Sequence, residues 1–98
     1  MAVPDRQDWE AIGFLLSSEI RQGVLRTLIE KRSTPSQIST VLGEPISHVS
    51  RALKELQSRK LAICLTPDRK KGRLYQITTL GESVLHELER MRTVGGKT

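Results

Sequence analysis

Cysteine is almost absent from this 98-residue chain, in which Cys64 is the single example. One cysteine cannot form an intramolecular disulfide, and it cannot supply the several thiolates of a cysteine-based zinc site. Aromatic residues are also scarce, because Trp9, Phe14 and Tyr75 are the only three. This composition excludes a disulfide-stabilised secreted scaffold and agrees with a reducing compartment.

Long hydrophobic runs are missing as well. The longest unbroken apolar stretch, residues 61–65, is far shorter than the ~20 residues that a membrane span requires. Residues 1–10 are polar and acidic, whereas a secretory signal has a basic segment followed by an apolar run. We therefore expect a soluble cytoplasmic domain with no membrane partner.

The sequence also lacks the motifs of the common catalytic sites. It has no glycine-rich phosphate loop, no serine or cysteine nucleophile motif with its partners, and no carboxylate pair in a credible cleft. These absences predict a protein that is not an enzyme and that uses no cofactor.

The length is sufficient for one domain and too short for two. We expect a flexible N-terminus at residues 1–7, a folded domain at residues 8–92 and a flexible tail at residues 93–98, which contains two adjacent glycines. A domain of this size has a thin core, so stabilisation by a second subunit is plausible.

Charge is distributed unevenly along the chain, whose formal net charge is +5. Residues 1–19 carry four acidic side chains and one basic side chain, a net charge of −3. Residues 51–73 carry eight basic and two acidic side chains, a net charge of +6. A basic block confined to one stretch indicates a polyanionic partner.

The first part of the chain predicts three helices. Residues 8–16 have apolar residues at helical spacing, which favours a helix, although a strand is an alternative. Ser17 or Ser18 can then cap a second helix with an apolar stripe over residues 20–29. The run from Thr34 to Gln37 is typical of a capping box with proline at the first helical position, and Gly43 can end this short third helix.

A fourth helix is predicted from Pro45 to about Lys60. At about 100° per residue, its apolar residues Val49, Ala52, Leu53 and Leu56 form one face. The opposite face is polar and cationic, and it comprises Ser47, Arg51, Lys54 and Ser58.

Residues 61–78 change to the alternation of a β-hairpin, with a cationic turn at residues 67–72. Thr79 and Glu82 are spaced as a second capping box. A closing helix follows, with an apolar stripe at Leu80, Val84, Leu88 and Met91. The order of elements predicts a mainly α protein with a small β-hairpin (α+β), in which a helix-turn-helix precedes a wing.

Two segments make the prediction more specific. Residues 43–56 (GEPISHVSRALKEL) resemble the turn and recognition helix of the MarR/ArsR-type winged helix-turn-helix regulators. Residues 74–81 (LYQITTLG) are similar to their second wing strand and following helix, and the start of the second helix fits the short archaeal-type members. The resemblance covers about residues 12–88 and implies a three-helix core with a wing and flanking terminal helices.

The resemblance and the amphipathic fourth helix together predict a homodimeric, sequence-specific regulator of transcription that binds double-stranded DNA. Such a protein is expected to be associated with the nucleoid. Candidate base contacts are Ser47, His48 and Arg51. Candidate phosphate contacts are Ser36, Ser50, Lys54, Lys60, Arg69, Lys70, Lys71 and Arg73. Candidate dimer contacts are Trp9, Ile12, Leu16, Val84, Leu88 and Met91.

Other interpretations of the same residues stay open. The polar helix face can be a solvated surface, and the basic wing can serve solubility. The domain can be a winged-helix module that binds protein, or a small chromatin-like protein that binds DNA without sequence preference. Cys64 is a weak candidate for redox sensing, and Glu82, His86 and Glu89 are a weak candidate for a metal site, so we predict no metal. The sequence does not indicate whether a small-molecule effector controls binding.

Overall fold

The computed structural model describes the backbone of residues 6–96 and the side chains of residues 9–91. Within this part of the chain, the fold consists of five helices and one antiparallel hairpin, which confirms the predicted α+β architecture. The elements are α1 (Arg6–Leu16), α2 (Glu19–Glu30), α3 (Pro35–Leu42), α4 (Ile46–Ser58), β1 (Ala62–Cys64), β2 (Tyr75–Ile77) and α5 (Thr79–Gly96).

Local capping determines where the first helices begin and end. Of the two candidate serines, Ser18 caps α2, because its Oγ accepts a hydrogen bond from the Arg21 N–H at 3.3 Å. The predicted capping box of α3 is confirmed: Thr34 Oγ1 accepts from the Gln37 N–H, and the Gln37 side chain accepts from the Thr34 N–H. Gly43 ends α3 in the left-handed conformation, at a φ of 67°.

The core lies where α2, α3 and α4 pack against one another. Leu25 of α2, Ile38 of α3 and Leu53 of α4 are completely buried there. A helix as short as α3 is unstable in isolation, so its apolar contacts in this core stabilise it. The ambiguous first segment is a helix, and α1 packs against α2 and α5.

The hairpin is short and is extended by a third segment. Ala62 pairs with Ile77 and Cys64 with Tyr75, so each strand contributes three residues. Ser33 exchanges both backbone hydrogen bonds with Tyr75, at 2.9 and 3.1 Å. A two-stranded hairpin alone is marginally stable in water, so this bridge and the burial of Tyr75 and Ile77 hold the wing on the helical core.

The start of α5 differs from the prediction by one residue. Thr78, not Thr79, caps this helix, because its Oγ1 accepts from the Gly81 N–H at 2.9 Å. The same hydroxyl donates to the Lys60 carbonyl, and the Thr78 N–H donates to the Leu61 carbonyl. The cap therefore lies one residue earlier because Thr78 also ties α5 to the turn after α4.

The outer helices extend beyond the predicted domain limits of 8 and 92, since α1 begins at Arg6 and α5 ends at Gly96. Adding a residue to an existing helix gains a backbone hydrogen bond, so a helix can continue into glycines that would not start one. Residues 1–5 and 97–98 of the predicted flexible ends lie outside the described residues. Among the helices described, none is both long and apolar enough to cross a bilayer.

Candidate nucleic-acid interface

Helix α4 has the two faces that its periodicity predicts. Val49, Leu53 and Leu56 are completely buried against the core. Ser47 and Arg51 are exposed on the opposite side. Their polar groups point away from the protein interior and are available to donate hydrogen bonds to a ligand.

His48 is also exposed on α4, at the edge of this outer face. Its Nδ1 lies 3.8 Å from Glu44 Oε1, one turn earlier in the chain. The structure therefore brings together all three residues predicted to contact bases, which are Ser47, His48 and Arg51.

Arg21 of α2 fixes the orientation of α4 through a contact with Glu55 that the sequence did not predict. Its Nε donates to Glu55 of α4 at 2.9 Å, and its Nη1 donates to the Phe14 carbonyl and to Ser17 Oγ. The guanidinium carbon lies 4.0 Å from the centre of the Phe14 ring, and that of Arg59 lies 4.7 Å from it. These contacts link α1, α2 and α4.

A basic groove lies between the start of α3, the side of α4 and the loop of the wing. Its volume is about 420 Å³, which is ample for a phosphate group and its neighbouring sugar atoms. Six of the eight residues predicted to contact phosphates line it, and they are Ser36, Ser50, Lys54, Lys70, Lys71 and Arg73.

The other residues of the groove were not predicted as site residues. Thr34 caps α3, Pro35 is its first residue, and Ile46 is the first residue of α4. Gly72 lies in the wing loop and Tyr75 in β2. Tyr75 is distant in sequence from the two helices, so no local pattern indicates that it contributes to the groove. Ile46 could have been recognised from the local sequence, since it is an apolar residue at the start of the polar helix face.

The wing loop is shaped by hydrogen bonds within itself. The Leu65 N–H donates to the Leu74 carbonyl at 2.7 Å, and the Leu74 N–H donates to Thr66 Oγ1 at 2.9 Å. The Arg69 N–H donates to the Thr66 carbonyl, which closes a turn at the loop. Gly72 adopts a φ of 64°, which a residue with a side chain rarely adopts. The cations of the loop are exposed.

Two of the predicted phosphate contacts do not line the groove. Lys60 follows the C-terminal end of α4, where it adopts a φ of 61°, and it lies beside Glu10 and Leu80. Arg69 is exposed in the turn, and its carbonyl accepts a hydrogen bond from Arg73 Nε. The sequence predicts a fourth helix that reaches about Lys60, but α4 ends at Ser58 and the left-handed conformation of Lys60 redirects the chain.

Three of the predicted dimer contacts are core residues instead. Ile12, Val84 and Leu88 are at most 2% exposed within the single chain, because α1 and α5 pack them against the helical core. A residue buried in this way has no surface left for a partner, so that assignment is wrong for these three. Trp9 and Leu16, by contrast, are about half exposed.

The geometry gives little support to the alternative predictions of a metal site at residues 82–89 and of redox sensing by Cys64. Between residues 9 and 91, no three His, Cys, Asp or Glu side chains are grouped to hold a metal ion. Glu89 is paired with Arg26 of α2, at 2.6 Å, so it is engaged in a contact between helices. Cys64 is a partly exposed free cysteine of β1.

These elements define a class of protein. A short helix, a turn, an amphipathic helix and a basic hairpin in this order form a winged helix-turn-helix domain. The chain belongs to the family described as HVO_A0261 N-terminal domain, whose sequence model matches residues 9–97. No curated protein sequence matches it.

Solved structures of winged-helix regulators have the same fold. A MarR variant from E. coli, in complex with operator DNA, is 25% identical with a TM-score of 0.67, and the match covers 88% of this chain and 63% of MarR. ZitR from Lactococcus lactis in complex with DNA is 24% identical with a TM-score of 0.63, covering 83% of this chain and 62% of ZitR. The chain thus spans less than two thirds of the length of either regulator.

A third solved structure is similar to nearly the whole chain. The homodimeric winged helix-turn-helix domain of Mb0332 from Mycobacterium bovis, a possible ArsR-family regulator, is 20% identical with a TM-score of 0.68. The match covers 99% of this chain and 92% of that domain. The MarR/ArsR-type resemblance of the sequence is confirmed at the level of the fold.

Proposed function

We propose that this chain is a homodimeric transcription regulator, not an enzyme, that binds a specific sequence of double-stranded DNA. The observation that carries this proposal is the basic groove beside the exposed polar face of α4. Cations and hydroxyl groups from three separate elements line this groove, and these are the groups that bind the phosphates of a DNA backbone. The MarR and ZitR structures, which contain DNA, support the same function.

Helix α4 enters the major groove, whose width of about 12 Å admits one helix. Arg51 donates two parallel hydrogen bonds to a guanine, the base contact that a guanidinium makes best. Ser47 and His48 contact neighbouring base edges from the first turns of the helix. These three side chains supply the sequence preference.

The basic groove holds the sugar–phosphate backbone next to the major groove. Ser36 at the start of α3 and Ser50 of α4 donate to phosphate oxygens, and Lys54 neutralises their charge. The wing cations follow the same strand or enter the minor groove. Such contacts fix the orientation of the protein but carry no sequence information.

The dimer forms through the exposed apolar side chains of the terminal helices. Trp9 and Leu16 are seven residues apart and therefore lie on one side of α1, and Met91 of α5 is also exposed. The homodimeric state of the Mb0332 domain supports this pairing. Two copies of α4 then meet successive major grooves about 34 Å apart, on a near-palindromic site.

Replacing Leu16 with glutamate is expected to convert the dimer to a monomer, because a charge on this apolar surface opposes its burial. Sedimentation velocity at micromolar concentration measures the change. Val41→Glu is the matched control, since Val41 is exposed on α3, which packs mainly on α2 and α4, and should leave the dimer intact. A wild-type protein that sediments as a monomer with and without DNA would contradict the dimer.

Arg51→Ala and Lys70→Ala are expected to weaken DNA binding in different ways. The first should lose ~1–3 kcal/mol on the preferred site and relax the preference for one base pair, because a bidentate base contact is removed. The second should weaken all sequences alike and reduce the log–log salt slope by about one unit, because one phosphate contact is removed. Fluorescence anisotropy on selected and random duplexes, at several salt concentrations, measures both effects.

Arg32→Ala is the control for these variants, because Arg32 is an exposed arginine outside the groove. Equal losses for Arg51→Ala and Lys70→Ala on both kinds of duplex would refute the division into base and phosphate contacts. Equal wild-type affinity for selected and random duplexes would favour a chromatin-like binder. No salt-sensitive affinity for either duplex would favour a module that binds protein.

A further inference from the structure

One apolar side chain is exposed inside the basic groove. Among the described residues, eight large hydrophobic side chains are more than a third exposed, and Ile46 is the one that lines this groove. It is 49% exposed and is the first residue of α4. The polar and cationic residues Ser50, Lys54 and Lys70 line the same groove.

The position of Ile46 joins the two parts of the proposed interface. It precedes Ser47, a proposed base contact, and lies one helical turn before Ser50, a proposed phosphate contact. It is thus at the end of α4 that approaches base edges in helix-turn-helix domains. Ile46 cannot form a hydrogen bond through its side chain, so the contact that it favours in this groove is with an apolar group.

The major-groove edge of DNA offers one apolar group, the C5-methyl of thymine, and cytosine carries only hydrogen at the same carbon. We propose that Ile46 is a specificity-determining residue that contacts the C5-methyl group of a thymine. This inference rests on the proposed DNA binding and adds to it a base type and a residue. The cations that line the groove draw the phosphates of the same nucleotides toward it.

The experiment removes the methyl group and leaves the rest of the base unchanged. Preferred duplexes are first selected from random DNA with the wild-type protein. Each thymidine of a selected duplex is then replaced, one base pair at a time, by deoxyuridine. Binding of the wild-type protein should weaken about fourfold at one base pair of each half-site, the effect of losing one buried methyl. Deoxyuridine at the other positions should change the affinity little.

The variant Ile46→Ala should bind the thymidine and deoxyuridine duplexes equally at that base pair. Ile46→Val retains a branched apolar side chain and should keep most of the difference. Val41→Ala, an exposed apolar residue outside the groove, should respond to deoxyuridine as the wild type does. The circular dichroism of each variant verifies that it is folded.

Two results would overturn the inference while leaving the proposed function intact. In the first, the wild-type protein binds a selected duplex specifically but responds to no single deoxyuridine. In the second, Ile46→Ala is folded and retains the wild-type response. A wild-type protein that selects no duplex at all would instead contradict the proposed function itself. The wild-type series requires no variant, so it tests the inference even if Ile46→Ala does not fold.

Discussion

Gly81→Ala is expected to destabilise this protein more than an alanine at any other glycine between residues 9 and 91. A Cβ atom at Gly81 would lie 2.2 Å from the Leu61 carbonyl oxygen and 2.8 Å from the Ile77 side chain. The oxygen belongs to the backbone turn that α5 packs on, so it cannot move aside without disturbing the start of the wing. We expect a loss of at least ~2 kcal/mol, which lowers Tm by roughly 8–16 °C in a domain of this size.

Gly13→Ala is the matched control, because Gly13 is also a helical glycine but has no atom within 4 Å of the added Cβ. There the substitution should stabilise the protein by about 0.5–1 kcal/mol through the better helix propensity of alanine. Thermal unfolding followed by circular dichroism, at one protein concentration, measures both variants. If the two substitutions shift Tm equally, the close approach of α5 to Leu61 does not determine stability.

Replacing the three groove-lining wing cations, Lys70, Lys71 and Arg73, with glutamine is expected to reduce DNA affinity by roughly a hundredfold or more at 0.1 M salt. The physical reason is that each lost phosphate contact returns about one condensed counterion to the DNA. The log–log salt slope should therefore fall by about 2.7 units if all three residues contact phosphates. The effect is measured by titrating one selected duplex at several salt concentrations between about 0.05 and 0.3 M. This range is wide enough to determine the log–log salt slope.

The control variant carries the same change of charge at Lys31, Arg32 and Arg90, which are exposed and do not line the basic groove. It should keep nearly the full salt slope, because long-range charge alone is screened over about 10 Å at this ionic strength. If both triple variants lose the same slope, the wing has no special role and the protein responds to net charge alone.

Local structure followed closely from local sequence. Capping at Thr34, left-handed Gly43 and the apolar face of α4 depend on neighbours within about four residues, so short patterns contain the information. The hairpin was also predictable, since its alternation and its basic turn are contiguous in the chain. The cap of α5 was misplaced by one residue because Thr78 also bonds to Lys60, which lies across the fold.

The order of the elements, the fold class and the polar face of α4 can be predicted from the chain alone, because they depend on periodicity and turn chemistry. The packing of distant segments fixed which residues share a surface. It gathered Ser36, Lys54 and Lys70 in one groove, left Lys60 outside it, and buried apolar residues that the terminal helices were expected to expose. These placements depend on how the helices and the wing pack in three dimensions. Contacts between residues that are tens of positions apart leave no periodic pattern in the sequence.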